Sequence, residues 1–182
     1  MKRTAQWILL AAGLWIATIA CAATITARHE GEAVIVEAVD ELAVTPEQAW
    51  AVLTDYEGLV RFIPDMLESR VIIRNGNSVM VEQKGRASLF LLHRPVEVRL
   101  EIVESPYQWV TSKAISGSFK EMVGRYDLKP EGGMLRFTYT GRIVPDFWLP
   151  ALFETAAIRH AIGRQFAAMV KEIRRRAAEG QP

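Results

Sequence analysis

From Leu67 to Ile143 apolar and polar side chains alternate through segment after segment, and one long amphipathic stretch follows. Val96, Val98, Leu100 and Ile102 point one way while Glu97, Arg99 and Glu101 point the other. Leu135, Phe137 and Tyr139 oppose Arg136, Thr138 and Thr140 in the same manner. Period-two alternation of this kind marks an antiparallel sheet with one wet face and one that must be buried. Turn signals recur at Asn75-Gly76-Asn77, Arg94-Pro95, Ser105-Pro106, Ser116-Gly117-Ser118 and Pro130-Glu131-Gly132-Gly133, giving about six strands. Only the terminal stretch, from near Asp146 to about Ala178, is long enough to cover such a face. Its stripe reads Leu152, Ala156, Ile158, Ile162, Phe166, Met169, Val170, Ile173.

Ahead of the sheet, Ala33–Val44 reads as a strand. Thr45-Pro46-Glu47 supplies an N-cap, a proline at the first helical position and an acid in the first turn, so Pro46–Thr54 is expected to be a short helix. Leu59–Ile63 reads as one more helical turn, stopped by Pro64. The expected fold class is α+β: a curved antiparallel sheet wrapped around a long C-terminal helix, with two short helices after the first strand.

The first residues read as an address. Lys2 and Arg3 precede the uncharged run Trp7–Ala20, and Ala20-Cys21-Ala22 offers a small-x-small cleavage site. Residues 1–22 are therefore expected to be a signal peptide, residues 23–32 an N-terminal tail, and residues 33–178 the folded domain. Periplasmic or secreted location follows, with an uncleaved membrane anchor as the alternative. Lipoprotein processing at Cys21 is less consistent, because Thr18 stands where a bulky aliphatic is usual. Removing Lys2 and Arg3 leaves 20 Lys+Arg against 21 Asp+Glu, a balance that does not suit a nucleic-acid partner. The single Cys and three widely spaced His, at 29, 93 and 160, give no basis for a disulfide framework or a metal centre. No cofactor is implied.

Several core-phase positions are too small or too polar for dense packing. Gln83 and Gly85 share the phase of Val79 and Val81; Gly124 lies between Met122 and Tyr126, Gly141 between Tyr139 and Ile143, and Gly163 falls on the helical stripe. Each glycine alone reads as a bulge or close backbone approach. Together, facing one helix, they suggest a cavity. Arg159 falls near the centre of the stripe at about 100° per residue. An unpaired buried guanidinium costs several kcal/mol, so Arg159 needs either a structural partner, for which Asp40 is in phase, or a wet pocket holding a ligand. His160 sits at the stripe's edge and His93 in a loop. Apolar residues flanking turns, Phe62, Phe90, Phe147 and Trp148, suggest a cavity mouth or a membrane-surface contact. Lys171 and Arg174–Arg176 suit the helix C-terminal dipole. There is no Gly-rich phosphate loop, HExxH, GxSxG or EF-hand loop, and no catalytic residue is assigned.

Thr45–Tyr56 with Phe62-Ile63-Pro64, Gly117-Ser118-Phe119-Lys120 with Gly124-Arg125-Tyr126-Asp127-Leu128, and Pro145–Pro150 together resemble the START-like superfamily. The similarity is to its polyketide cyclase/dehydrase and coenzyme Q-binding branch, which usually carries Trp where this chain has Tyr126. It spans residues 33–178. The resemblance implies a helix-grip fold enclosing a hydrophobic cavity whose occupant is a lipid, a quinone or a polyketide-like molecule. It carries no shared catalytic motif. The expectation is an exported carrier of a hydrophobic small molecule. Val81, Val98, Leu100, Phe137, Tyr139, Ile162 and Phe166 would surround its tail, with Gly163 also at the ligand site, and Arg159, Gln83 and Tyr126 would hold its head. A cyclase or hydrolase acting on a hydrophobic substrate, and an envelope protein-interaction module, are the alternatives. Oligomeric state is not legible.

Overall fold

The computed structural model describes residues 23–89, 92–146 and 151–180. Strands β1 (Thr24–Glu30) and β2 (Ala33–Leu42) lead into helix α1 (Pro46–Leu53) and a short 3-10 helix, Glu57–Arg61. Six strands follow: β3 (Met66–Asn75), β4 (Ser78–Leu89), β5 (Leu92–Ser105), β6 (Trp109–Gly117), β7 (Phe119–Glu131) and β8 (Met134–Pro145). Helix α2 (Ala151–Ala178) completes the order. All neighbours pair antiparallel in one eight-stranded sheet, β1-β2-β8-β7-β6-β5-β4-β3. The α+β helix-grip expectation is met.

Residues 23–32, expected to be a tail, are a correction: seven of them form β1, the edge strand, which pairs with β2 from Thr24↔Val39 to Glu30↔Ala33. The polar alternation Thr24, Thr26, Arg28 hides such a strand because it lacks a run of large apolar residues. Its inner residues are Ile25 and Ala27, which pack on the cluster of Val34, Val36, Ile143 and Ile158. The expected signal peptide, and Phe90, Phe147 and Trp148, lie outside the described residues.

The short helices are locally specified. Thr45 Oγ1 accepts from the Gln48 amide (3.3 Å) and Gln48 Oε1 accepts from the Thr45 amide (3.0 Å), a reciprocal capping box with Pro46 beside it. Asp55 then accepts from the Gly58 amide (3.1 Å), from Arg61 (2.7 Å) and from Arg176 of α2 (2.8 Å), tying the second turn to the far end of the long helix. Arg176 also donates to Glu172 (2.8 Å), whose carboxyl is held down at about 2, chiefly by Arg175 and then by Arg176.

The core lies between the concave sheet face and α2. Alternation delivers Val34, Val36, Ala38 and Leu42 from β2, Leu135, Phe137 and Tyr139 from β8, and Val98, Leu100 and Ile102 from β5. The C-terminal half of α2 closes it with Phe166, Met169, Val170 and Ile173, all buried. Phe137 stacks on Phe166 at 5.4 Å between ring centroids.

Most glycines singled out by phase serve close packing, so the bland reading of each holds. Tyr139 folds back over Gly141 and Gly124, and a Cβ at Gly141 would sit 2.6 Å from its hydroxyl oxygen. At Gly85 a Cβ would lie 2.8 Å from the Asp65 carbonyl oxygen, which also accepts from the Arg86 amide. Gly163 lets α2 approach β1, with Ile25 Cδ1 2.9 Å from the Cβ position.

Asp40 has its helical arginine, but the partner is Arg174 (3.1 Å), not Arg159. Arg159 is exposed, which corrects its placement at the stripe's centre. A helical wheel averages phase over the whole helix, whereas each turn meets different neighbours. Along the last four turns the buried residues are Phe166, Met169, Val170 and Ile173; nearer the start the described buried residues are Ile158 and Gly163, and Arg159 and Ala156 face out. We expect Arg174→Ala to destabilise the fold by about 1–3 kcal/mol, since it removes the cation from a buried carboxylate, and Arg159→Ala to stay within about 0.5 kcal/mol. Gly141→Ala should cost about 1–3 kcal/mol by overpacking Tyr139. Urea unfolding of the three variants checks these values.

Candidate functional site

Between the first half of α2 and the end of β4 the interior opens. An outer chamber of about 210 Å³ lies between α2 (Ala157, Ile158, Ala161, Ile162), the end of β4 (Gln83, Gly85, Ala87), Val96 and Val98 of β5, and Phe119, Met122, Ile143 and Pro145. Its rim carries Lys84, Arg86, His160 and the ion pair of Arg164 with Asp65. A deeper chamber of about 120 Å³ continues inward beneath the 3-10 helix, walled by Leu59, Ile63, Leu100, Ile102, Val110 and Met169. Met66, Gln83, Met122, Ile162 and Gln165 line both chambers and form the partition between them.

Polar groups in the deep chamber are few and uncharged. Tyr126 from β7 and Tyr139 from β8 pair across the sheet and lie 4.8 Å apart between ring centroids. Tyr126 also stacks on Phe137 at 5.3 Å. Ser112 faces Gly124 from β6, and Gln83 donates to Ser69 (3.3 Å). Among the described residues neither the Tyr126 nor the Tyr139 hydroxyl has a hydrogen-bond partner, yet no fully enclosed polar atom is left unsatisfied, so both oxygens keep access to the chamber. Burial pushes the Tyr139 phenol up to about 12 and raises that of Tyr126 further. Tyr56 contributes its ring to the wall but commits its hydroxyl to the buried Glu104 (2.7 Å). Burial first, and then that carboxylate, raise the Tyr56 phenol as well. Arg74 closes this group with bonds of 3.0 and 3.2 Å to Glu104.

Of the residues expected from sequence, Gln83, Leu100, Tyr126, Tyr139 and Ile162 meet at the chambers. Val81, Phe137 and Phe166 are solid core instead, wholly buried and absent from both walls, and Gly163 is filled by Ile25. Arg159 reaches neither chamber. Phe62, placed at the mouth, is instead half-buried with the Arg176 guanidinium 5.8 Å from its ring centre. Sequence reasoning missed Ser112 and Glu104. Extending the inward phase Val110, Ser112, Ala114 and the phase Val98, Leu100, Ile102, Glu104 would have found both. Met66 and Gln165 gave no such signal, because one follows a turn and the other lies beside the stripe. Among the described residues no three His, Cys, Asp or Glu side chains converge as a metal site.

A family model described as polyketide cyclase/dehydrase and lipid transport matches residues 33–178. Among curated proteins no relative matches the chain. Solved structures share the fold at low identity. A STAR-related lipid transfer protein of Xanthomonas axonopodis is 12% identical with a TM-score of 0.68, over 84% of this chain and 93% of that one. Human StAR-related lipid transfer protein 5 is 10% identical with a TM-score of 0.68, over 84% and 82%. A Streptomyces aromatase/cyclase is 14% identical with a TM-score of 0.65, over 82% and 99%.

The buried phenols give a pH signature. A folded-state pKa above the ordinary value of about 10 means that stability is intact below pH 10 and is lost as pH rises toward the folded value. We expect Tyr56, Tyr126 and Tyr139 to show no phenolate absorbance in the native protein up to about pH 11. Tyr139→Phe should flatten the stability loss between about pH 10 and pH 12.

Proposed function

Since the chain belongs to the polyketide cyclase/dehydrase and lipid transport family, we propose that it is an exported carrier holding a hydrophobic small molecule between the sheet and α2. The observation that carries this reading is the pair of adjoining chambers, walled mainly by aliphatic and aromatic side chains. Together they sit at the small end of ligand-site volumes, which favours a compact ligand over a whole two-chain lipid. Burying about 300 Å² of apolar ligand contributes roughly 7 kcal/mol before association costs, so micromolar binding is expected. A lipid fragment, an isoprenoid quinone and a polyketide-like molecule all satisfy the walls.

A carrier fits the inner groups better than a cyclase or hydrolase does. Phenols held well above their ordinary pKa keep their protons at neutral pH and donate hydrogen bonds, but do not serve as bases. Among the described residues the deep chamber's lining holds no carboxylate or imidazole. Export rests on the sequence pattern of residues 1–22.

Solvent extraction of the purified protein, followed by mass spectrometry, tests the reading. A recurrent apolar compound near one per chain is expected. An empty protein that also fails to bind a neutral solvatochromic dye would falsify it. Ile162→Trp, which fills the partition, should weaken dye binding by at least about tenfold while leaving cooperative unfolding intact.

A further inference from the structure

The described lining of the deep chamber is uncharged, and that bears on what can enter it. We infer, on the carrier reading, that it selects ligands whose inner end is an uncharged oxygen, an alcohol, ketone or phenol, and rejects carboxylates. Among the described residues no lining side chain of the chamber carries a charge. Arg159, the cation that phase alone places here, stands in solvent. Behind the wall at Tyr56 stands an anion: Glu104, reached through the 2.7 Å bond from Tyr56 and neutralised from outside by Arg74. A carboxylate driven into this space would lose its hydration and find no cation to replace it.

A neutral oxygen meets the opposite situation. Tyr139 is 5% exposed, and its hydroxyl opens on the chamber without a protein partner among the described residues. Tyr126 presents a second free hydroxyl from the neighbouring strand, with Ser112 on the next strand. A phenol or hydroxyl donates to a carbonyl and both donates to and accepts from an alcohol, so the cluster serves either head. Both phenols stay protonated through neutral pH, so the donors persist. The cations of the site, Lys84, Arg86 and Arg164, line the outer chamber and not the deep one.

Competition against a bound neutral dye, near pH 8, with octan-1-ol, octan-2-one, octanoate and octane provides the test. The alcohol and ketone should displace dye at concentrations at least about tenfold below octanoate. Tyr139→Phe, which keeps the ring over Gly141, should raise the alcohol and ketone concentrations needed by about fivefold to tenfold and leave octane unchanged. Ser112→Ala should act in the same direction more weakly. If octanoate competes as well as octanol, or Tyr139→Phe and Ser112→Ala both leave the alcohol unaffected while octane still binds, the neutral-head assignment is overturned and the carrier reading stands. If no probe and no dye binds the wild-type protein, the carrier reading itself falls.

Discussion

A straight helix cannot follow a curved sheet along its whole length, and the interior of this protein is organised by that mismatch. In its C-terminal half α2 buries Phe166, Val170 and Ile173 in one cluster with Phe137, Leu135 and Leu42, and Met169 of the same half also walls the deep chamber. Toward its start the helix leans on β1 and β2 through Ile158 and Gly163. The side toward the end of β4 then stays open as the outer chamber. Tight packing at one end and separation at the other are two results of the same geometry. The stable half supplies the apolar burial that a domain of this size needs, and the open half supplies the site.

Charge is distributed so that the described lining of the deep chamber remains uncharged. The buried carboxylates, Asp40 and Glu104, are each met by an arginine whose head reaches water, Arg174 and Arg74. Asp55 and Glu172 share Arg176 where the 3-10 helix meets α2. On the convex face Glu82 accepts from Arg70 and Arg99 across three strands. Each pair sits at the margin of the core, where solvent lowers the cost of burying an ion. What remains inside is a set of hydroxyls and amides, which can hold a ligand's oxygen without the desolvation cost an internal charge would add.

Local rules carried far into this fold. The capping box at Thr45 and Gln48, the period-two segments of β5 and β8, and the long stripe of α2 are readable because each depends on residues only a few positions apart. The edge strand β1 escaped because one wet face and one shallow apolar face look like a polar tail. Arg159 was misplaced because a wheel assigns one direction to a helix that faces three different environments along its length. The glycines pointed to unusual packing, but a missing side chain reads the same whether Tyr139 fills the gap, as at Gly141, or a backbone carbonyl does, as at Gly85.

Alternation and amphipathic period alone determined that a one-faced antiparallel sheet would be closed by a terminal helix, since no other arrangement buries both apolar surfaces. Along the strands they also determined which residues point inward. Tertiary structure alone decided which inward residues become solid core and which line a chamber, because that depends on the distance between α2 and each strand. It also decided that Arg174 rather than Arg159 answers Asp40. Pairings of this kind join residues more than a hundred positions apart, and no short-range pattern encodes their separation.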